Sequence, residues 1–321
     1  MLNDLNFNIY RLRLLARWYT MSQDDYCDRY DYVDEILEKA KIIRKHVEEY
    51  LSRKTQDTFS QDIEEFLSRN PLAYIIGAIC DQQIKAEAAW SIPKVLHDKL
   101  KERNLEFKAS IIYRLGEDEV RKLLEDCMKN IRVKGKWGRL RGRARERWLQ
   151  DISSYIVKTC ELIAKKYNDD PDKMLLDAIN KYGKLNPPLL YFIFRQLPGI
   201  GLKKASMLSR DFASDENLYS KWVLERLGMQ GVNLVVEQKY FTEIPVDVHI
   251  LRVVERIFGR EYKENQDIQN LGKLIYPENP GLVDYYLWDF ARKICINDER
   301  EPKCNECPFT GICRYYRCKK R

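Results

Sequence analysis

At 321 residues the chain is about twice the length of a typical domain, and with 45% hydrophobic and 33% charged residues it can bury a sizeable core. No run approaches the roughly eighteen uncharged apolar residues of a membrane span. The opening Met1-Leu2-Asn3-Asp4-Leu5 lacks the basic and apolar regions of a secretory signal, so an intracellular, reducing setting is expected. The net charge of +7 is concentrated in one place: Lys129–Arg147 holds nine Lys/Arg against Glu146 alone, a local +8, which leaves the remainder slightly acidic.

Taken in order, the chain reads as helix almost throughout. Leu72, Ile75, Ile76 and Ile79 recur at helical spacing and define one apolar face. The basic segment Lys129–Arg147, with Gly135, Gly138 and Gly142, reads as a loop between helices. Its Arg139, Arg141, Arg143 and Arg145 are candidate contacts for a polyanion, against the plainer reading of a solvated surface. Pro187 behind Asn186 looks like a first-turn proline behind a capping residue. Residues 231–243 are the one stretch that suggests a short hairpin or irregular loop. Ile250, Leu251, Val254, Ile257 and Phe258 form a further stripe, stopped by Gly259.

Three constellations can carry chemistry. In Leu197-Pro198-Gly199-Ile200-Gly201-Leu202-Lys203-Lys204-Ala205 two glycines permit a sharp turn directly into a helix. Its outward N–H groups and the positive helix end then make an anion site, the alternative being an ordinary glycine-capped turn. Asp247, in Pro245-Val246-Asp247-Val248-His249, stands at a helix start, where an N-cap is the natural reading and a catalytic role requires a cation or developing positive charge nearby. His249 reads as structural. Cys295, Cys304, Cys307 and Cys313 form a compact four-thiolate set that can converge on zinc or an iron–sulfur cluster. Cys318 is a spare, and Cys27, Cys80, Cys127 and Cys160 read as small buried hydrophobes.

In this order the three constellations resemble the helix-hairpin-helix DNA glycosylases, in particular the endonuclease III branch with a C-terminal four-cysteine loop. Ala78-Ile79-Cys80-Asp81-Gln82-Gln83 is similar to that family's glutamine-bearing helix end. The resemblance spans roughly residues 62–100 and 150–321. It implies an all-α, two-lobed fold: a six-helix barrel over 62–212, and a second lobe of 1–61 with 213–321 carrying a [4Fe-4S] cluster on the four cysteines, zinc being the alternative. It implies a monomer that flips a damaged or mismatched base out of double-stranded DNA in base excision repair, cytoplasmic and nucleoid-associated in a prokaryote. Lys203 takes the position of the nucleophilic amine and Asp247 that of the essential carboxylate. Gly199 and Gly201 grip a phosphate, with a monovalent cation as a possible helper at the hairpin. Lys204 is expected to face phosphate or solvent, and Gln82, with Gln83 as its rival, fills the gap left by the extruded nucleotide. Burial, the helix end and Lys204 are expected to lower the Lys203 pKa, against the opposing pull of Asp247.

The sequence also departs from endonuclease III. The Cys295–Cys304 gap is longer, an insertion lies around Asp215–Glu243, and the basic segment is extended. The hairpin and Pro245–His249 lean toward the 8-oxoguanine glycosylases. A bifunctional glycosylase with AP lyase activity is the leading expectation. The alternatives are a monofunctional glycosylase and a non-catalytic, metal-stabilised DNA-binding module.

Overall fold

The computed structural model describes residues 33–53, 60–131, 140–182, 186–213, 241–262, 264–296 and 302–319. Among them lie helices α1 (Val33–Ser52), α2 (Gln61–Ser68), α3 (Pro71–Cys80), α4 (Ala86–Glu102), α5 (Ala109–Asn130), α6 (Gly142–Lys166), α7 (Asp172–Tyr182), α8 (Pro187–Arg195) and α9 (Leu202–Ala213). They continue with α10 (Val248–Phe258), α11 (Asn265–Ile275), α12 (Val283–Lys293) and α13 (Arg314–Lys319), and the described residues hold no strand.

Local chemistry sets the helix ends. Asn70 and Asn186 each accept a backbone N–H three residues on, from Ala73 and Leu189, in front of the first-turn prolines of α3 and α8. Gly259 closes α10 in the left-handed region at φ 69°. Helix α3 is buried on nearly every side, not along one face as its spacing suggests, because α2, α4, α6 and α9 surround it. Arg143 and Arg145 are also placed differently from the expected loop: α6 already begins at Gly142, so both lie in its first turn. Arg139, residues 231–240 and most of the 215–243 insertion fall outside the described residues.

Two hydrophobic cores result. One runs from Leu67 to Phe212 and includes Ile75, Ile76, Leu96, Leu123, Ile152, Phe194 and Leu208. The other joins Ile43 and Val47 of α1 to Ile250, Val254, Leu287 and Phe309, so early and late parts of the chain pack together. Each such fully buried side chain contributes roughly 1.5–3 kcal/mol relative to exposure.

A buried polar hub crosses between the cores. Arg210 on α9 donates through Nε to Asp211 (2.7 Å) and through Nη1 to Asp284 on α12 (2.7 Å). Tyr74 of α3 and Tyr285 of α12 donate to the two oxygens of Asp211, at 2.5 and 2.7 Å. Nearer the surface, Arg292 of α12 pairs with Glu87 of α4 at 2.8 Å. Removing one partner of a buried ion pair typically costs about 3–5 kcal/mol, because the other charge is left stranded. The hub therefore fixes how α9 meets α12.

Candidate active site at the hairpin

Helices α8 and α9 pack against each other through the turn Gln196–Gly201. Gly199 sits at φ +80°, and a Cβ there would lie 2.8 Å from the Tyr155 ring, so this turn demands glycine. A Cβ on Gly201 would meet nothing within 4 Å; its lack of a side chain leaves open space in front of the turn. No described residue accepts the N–H of Gly199 or Gly201. With the N-terminus of α9 directly behind, these donors and the helix dipole present positive potential outward.

Lys203, in the first turn of α9, reaches across to the N-cap of α10. Its Nζ lies 3.1 Å from Asp247 Oδ2. Asp247 Oδ1 meanwhile accepts the N–H groups of His249 (2.8 Å) and Ile250 (3.0 Å). One carboxylate oxygen caps the helix, as the N-cap reading expects, and the other faces the cation that a chemical role requires. The pair joins the two cores, since α9 belongs to the first and α10 to the second.

The electrostatics revise one expectation. Burial pulls the Lys203 pKa down, but Asp247, then Asp81 and Asp284, outweigh it and hold the amine above the ordinary lysine value. The depressed amine is its neighbour. Burial pushes Lys204 to about 8, against the opposing pull of Asp81 and Cys80. Lys204 is only 8% exposed and its Nζ donates to Ile79 O (2.8 Å) and Gly199 O (3.2 Å), tying the hairpin to the end of α3. This corrects the expected phosphate-facing or solvated side chain: one step along a helix rotates it away from Lys203, into the interior.

Two further carboxylates, Asp81 and Asp284, neither assigned a role from the sequence, also act on the Lys203 amine. At the end of α3, burial raises the Asp81 carboxyl pKa against the opposing pull of Lys203 and Lys204. Burial brings Asp284 to about 6 despite Arg210 and Lys203, and its Oδ1 has no hydrogen-bond partner. A carboxylate at a helix end is a detectable signal for Asp81. Asp284 had none, since its importance comes from a contact with α9 more than seventy residues away. Burial also lowers the His249 pKa, opposed by Asp247, which favours the neutral imidazole.

The two glutamines lie on the turn after α3. Gln82 is half-buried and its carbonyl accepts from the Trp148 indole at 2.9 Å. Gln83 is exposed in the left-handed region at φ 63°. Arg141 and Arg143 are exposed and Arg145 half-buried; none forms an ion pair with a described residue, and the first turn of α6 contains no acid.

The cysteine loop packs on α10. Cys295 and Cys313 are buried, and burial raises the pKa of Cys307 (to about 11) and of Cys313, with Cys295 and Cys304 adding to both. The four sulfurs thus share one neighbourhood. The Arg256 guanidinium lies 3.3 Å from Cys295 Sγ, and Phe309 N–H points at Cys307 Sγ at 3.4 Å. Among the described residues no three His, Cys, Asp or Glu side chains are placed to hold a single metal ion.

A comparison with curated sequences finds no match. Among solved structures, it is similar to a thermostable thymine-DNA glycosylase at 16% identity and TM-score 0.53, covering 88% of this chain and 98% of that one. It is also similar to endonuclease III, in a trapped covalent DNA intermediate in an estranged-adenine complex, at 15% identity and TM-score 0.50, covering 87% of this chain and 99% of that one. At these identities the likeness establishes the shared all-α fold. A family model for the HhH-GPD superfamily base excision DNA repair proteins matches residues 76–278, which takes in the hairpin, Lys203 and Asp247, and the chain belongs to that superfamily.

Proposed function

We propose that the protein is a bifunctional DNA glycosylase and AP lyase that removes a damaged or mismatched base and nicks the strand. The observation that carries this reading is the Lys203 amine held 3.1 Å from the Asp247 carboxylate beside an outward-facing anion site. A base inside a duplex is out of reach, so the nucleotide must be extruded, at a few kcal/mol, least for a damaged or mispaired base. Phosphate contacts at Gly199 and Gly201 and from Arg141, Arg143 and Arg145 offset that cost, as Arg139 would from the same segment. Gln83, exposed on its strained turn, is better placed than Gln82 to enter the gap.

Departure of the base builds positive charge on the sugar, which Asp247 Oδ2 stabilises. In the resting site that oxygen pairs with the Lys203 ammonium. As the sugar cation competes for the carboxylate, the amine loses its strongest partner, gives its proton to the leaving base or to Asp247, and its lone pair bonds to C1′ as the glycosidic bond breaks. Ring opening gives an imine, and loss of a C2′ proton expels the 3′ phosphate. A monofunctional enzyme is the second reading, favoured by the raised Lys203 pKa: an amine that stayed protonated would only pair with Asp247.

We also infer that the four cysteines hold a [4Fe-4S] cluster. Support comes from the shared sulfur neighbourhood and the adjacent Arg256 charge. Bound there, the cluster would supply a rigid anionic crosslink. Arg252 and Arg256 already tie α10 to the carbonyls of Ala291, Cys295 and Ile296, so a stiff loop would steady the helix that Asp247 caps.

The test is a panel of lesion-bearing duplexes scored separately for base release and strand nicking, with borohydride trapping. We expect a covalent adduct on the cognate lesion that Lys203→Gln abolishes. Base release without nicking or adduct would make the enzyme monofunctional, and activity on no lesion would leave a binding module.

A further inference from the structure

The resemblance implies a monovalent cation at the hairpin, which requires several backbone carbonyl oxygens turned toward one point. In this chain every carbonyl from Leu197 to Gly201 already has a protein donor. Leu197 O accepts from Ile200 N (3.1 Å), Pro198 O from the Thr159 hydroxyl (3.4 Å) and Gly201 O from Ala205 N (3.0 Å). The remaining two are taken by cationic side chains: Gly199 O by Lys204 Nζ at 3.2 Å and Ile200 O by Arg195 Nη1 at 2.7 Å. A metal cation shared by these oxygens would sit within a few ångströms of an ammonium and a guanidinium. At about 4 Å each repulsion costs roughly 4 kcal/mol even in a partly screened setting. The donor set does not fit the cation.

Arg195 has a further property. It is the last residue of α8, exposed, and makes no ion pair with any described residue. A guanidinium carries five N–H donors in a planar fork. With one nitrogen on Ile200 O, between Gly199 and Gly201 in the turn, the others have no acceptor among the described residues.

We propose that Arg195 and Lys204 are built-in cations of the hairpin: together they replace a bound monovalent metal ion, Lys204 by fixing the turn from inside and Arg195 by pinning Ile200 O while offering its other N–H groups to a DNA phosphate. The inference rests on the reading that the hairpin grips DNA.

Binding of the full-length protein to a duplex with an abasic-site analogue is measured by fluorescence anisotropy in potassium, sodium and tetramethylammonium chloride at one ionic strength, for wild type and Arg195→Gln. Tetramethylammonium is too large to enter a carbonyl cage. The wild type is expected to bind equally, within twofold, in all three salts. Arg195→Gln keeps a donor for Ile200 O but loses the charge, and its affinity should fall about tenfold in tetramethylammonium. Potassium or sodium should recover part of the loss, because the vacated position now accepts a small cation. Circular dichroism confirms that the variant is folded. A wild type that weakens several-fold in tetramethylammonium overturns the proposal by showing a required metal ion. So does a variant that binds like wild type in all salts, or one equally weak in all of them. Wild-type protein that binds this DNA in no salt refutes the functional reading instead.

Discussion

Lys203 and Lys204 leave α9 about 100° apart, and the two amines meet opposite surroundings. The first lies among carboxylates and is held protonated; the second is enclosed with two carbonyls, and the pull of Asp81 and Cys80 does not offset its burial. The sign of each shift follows from what surrounds it, and it has a thermodynamic consequence for Lys204. Its folded value near 8 lies below the unfolded 10.5, so the unfolded chain binds more protons between those pH values and stability rises with pH across that window. The interval corresponds to roughly 3 kcal/mol. Chemical denaturation of wild type and Lys204→Met should therefore differ by a gap that changes, in favour of wild type, from pH 8 to pH 10.5. A gap independent of pH would mean that Lys204 titrates normally. Lys204→Met should also loosen the hairpin, because Gly199 O and Ile79 O lose their shared donor.

At the scale of elements, the hairpin's two glycines do different work. Gly199→Ala forces an L-residue into φ +80° with its Cβ against Tyr155, and should cost about 1–3 kcal/mol of stability in urea denaturation. Gly201→Ala has room for its methyl group and should leave stability within about 0.5 kcal/mol, yet weaken duplex binding, since the methyl occupies the approach of a phosphate. Equal losses of stability in both variants would contradict this division. The helix ends at Asn186, Asp247 and Gly259 were legible in the sequence because caps are local: an oxygen two or three residues from the N–H it accepts, or a glycine where φ turns positive. The Lys203–Asp247 pairing came only through family resemblance. The inward turn of Lys204 and the Arg210–Asp284 contact came from neither, because each depends on which helix packs opposite, and that is decided by tertiary contacts between segments far apart in sequence. The full enclosure of α3 was hidden for the same reason: its pattern shows an apolar face, not how many neighbours surround it.

At the scale of the molecule, a modest net charge of +7 conceals a strong local field. Arg141, Arg143 and Arg145 cluster at the N-terminus of α6, whose dipole is also positive there, and no acid in the first turn relieves them. Such an arrangement is unfavourable alone and is relieved by a polyanion. Replacing these three arginines by glutamine should lower the slope of log K against log salt by up to about 2.7, at about 0.9 per phosphate contact, and by the same amount on damaged and undamaged duplexes. An unchanged slope would place the cluster away from the DNA.

The division of Lys203 and Asp247 between two cores also bears on the order of events during synthesis. The amine is translated well before the carboxylate, and the second core is not complete until Phe309 and Cys313 have emerged. A nascent chain with only its first core folded therefore displays Lys203 without the carboxylate proposed to stabilise a sugar cation. On the proposed reading, chemistry waits on the segment around Phe309 and Cys313, and a product truncated before it is expected to bind phosphate through its hairpin while leaving the glycosidic bond intact.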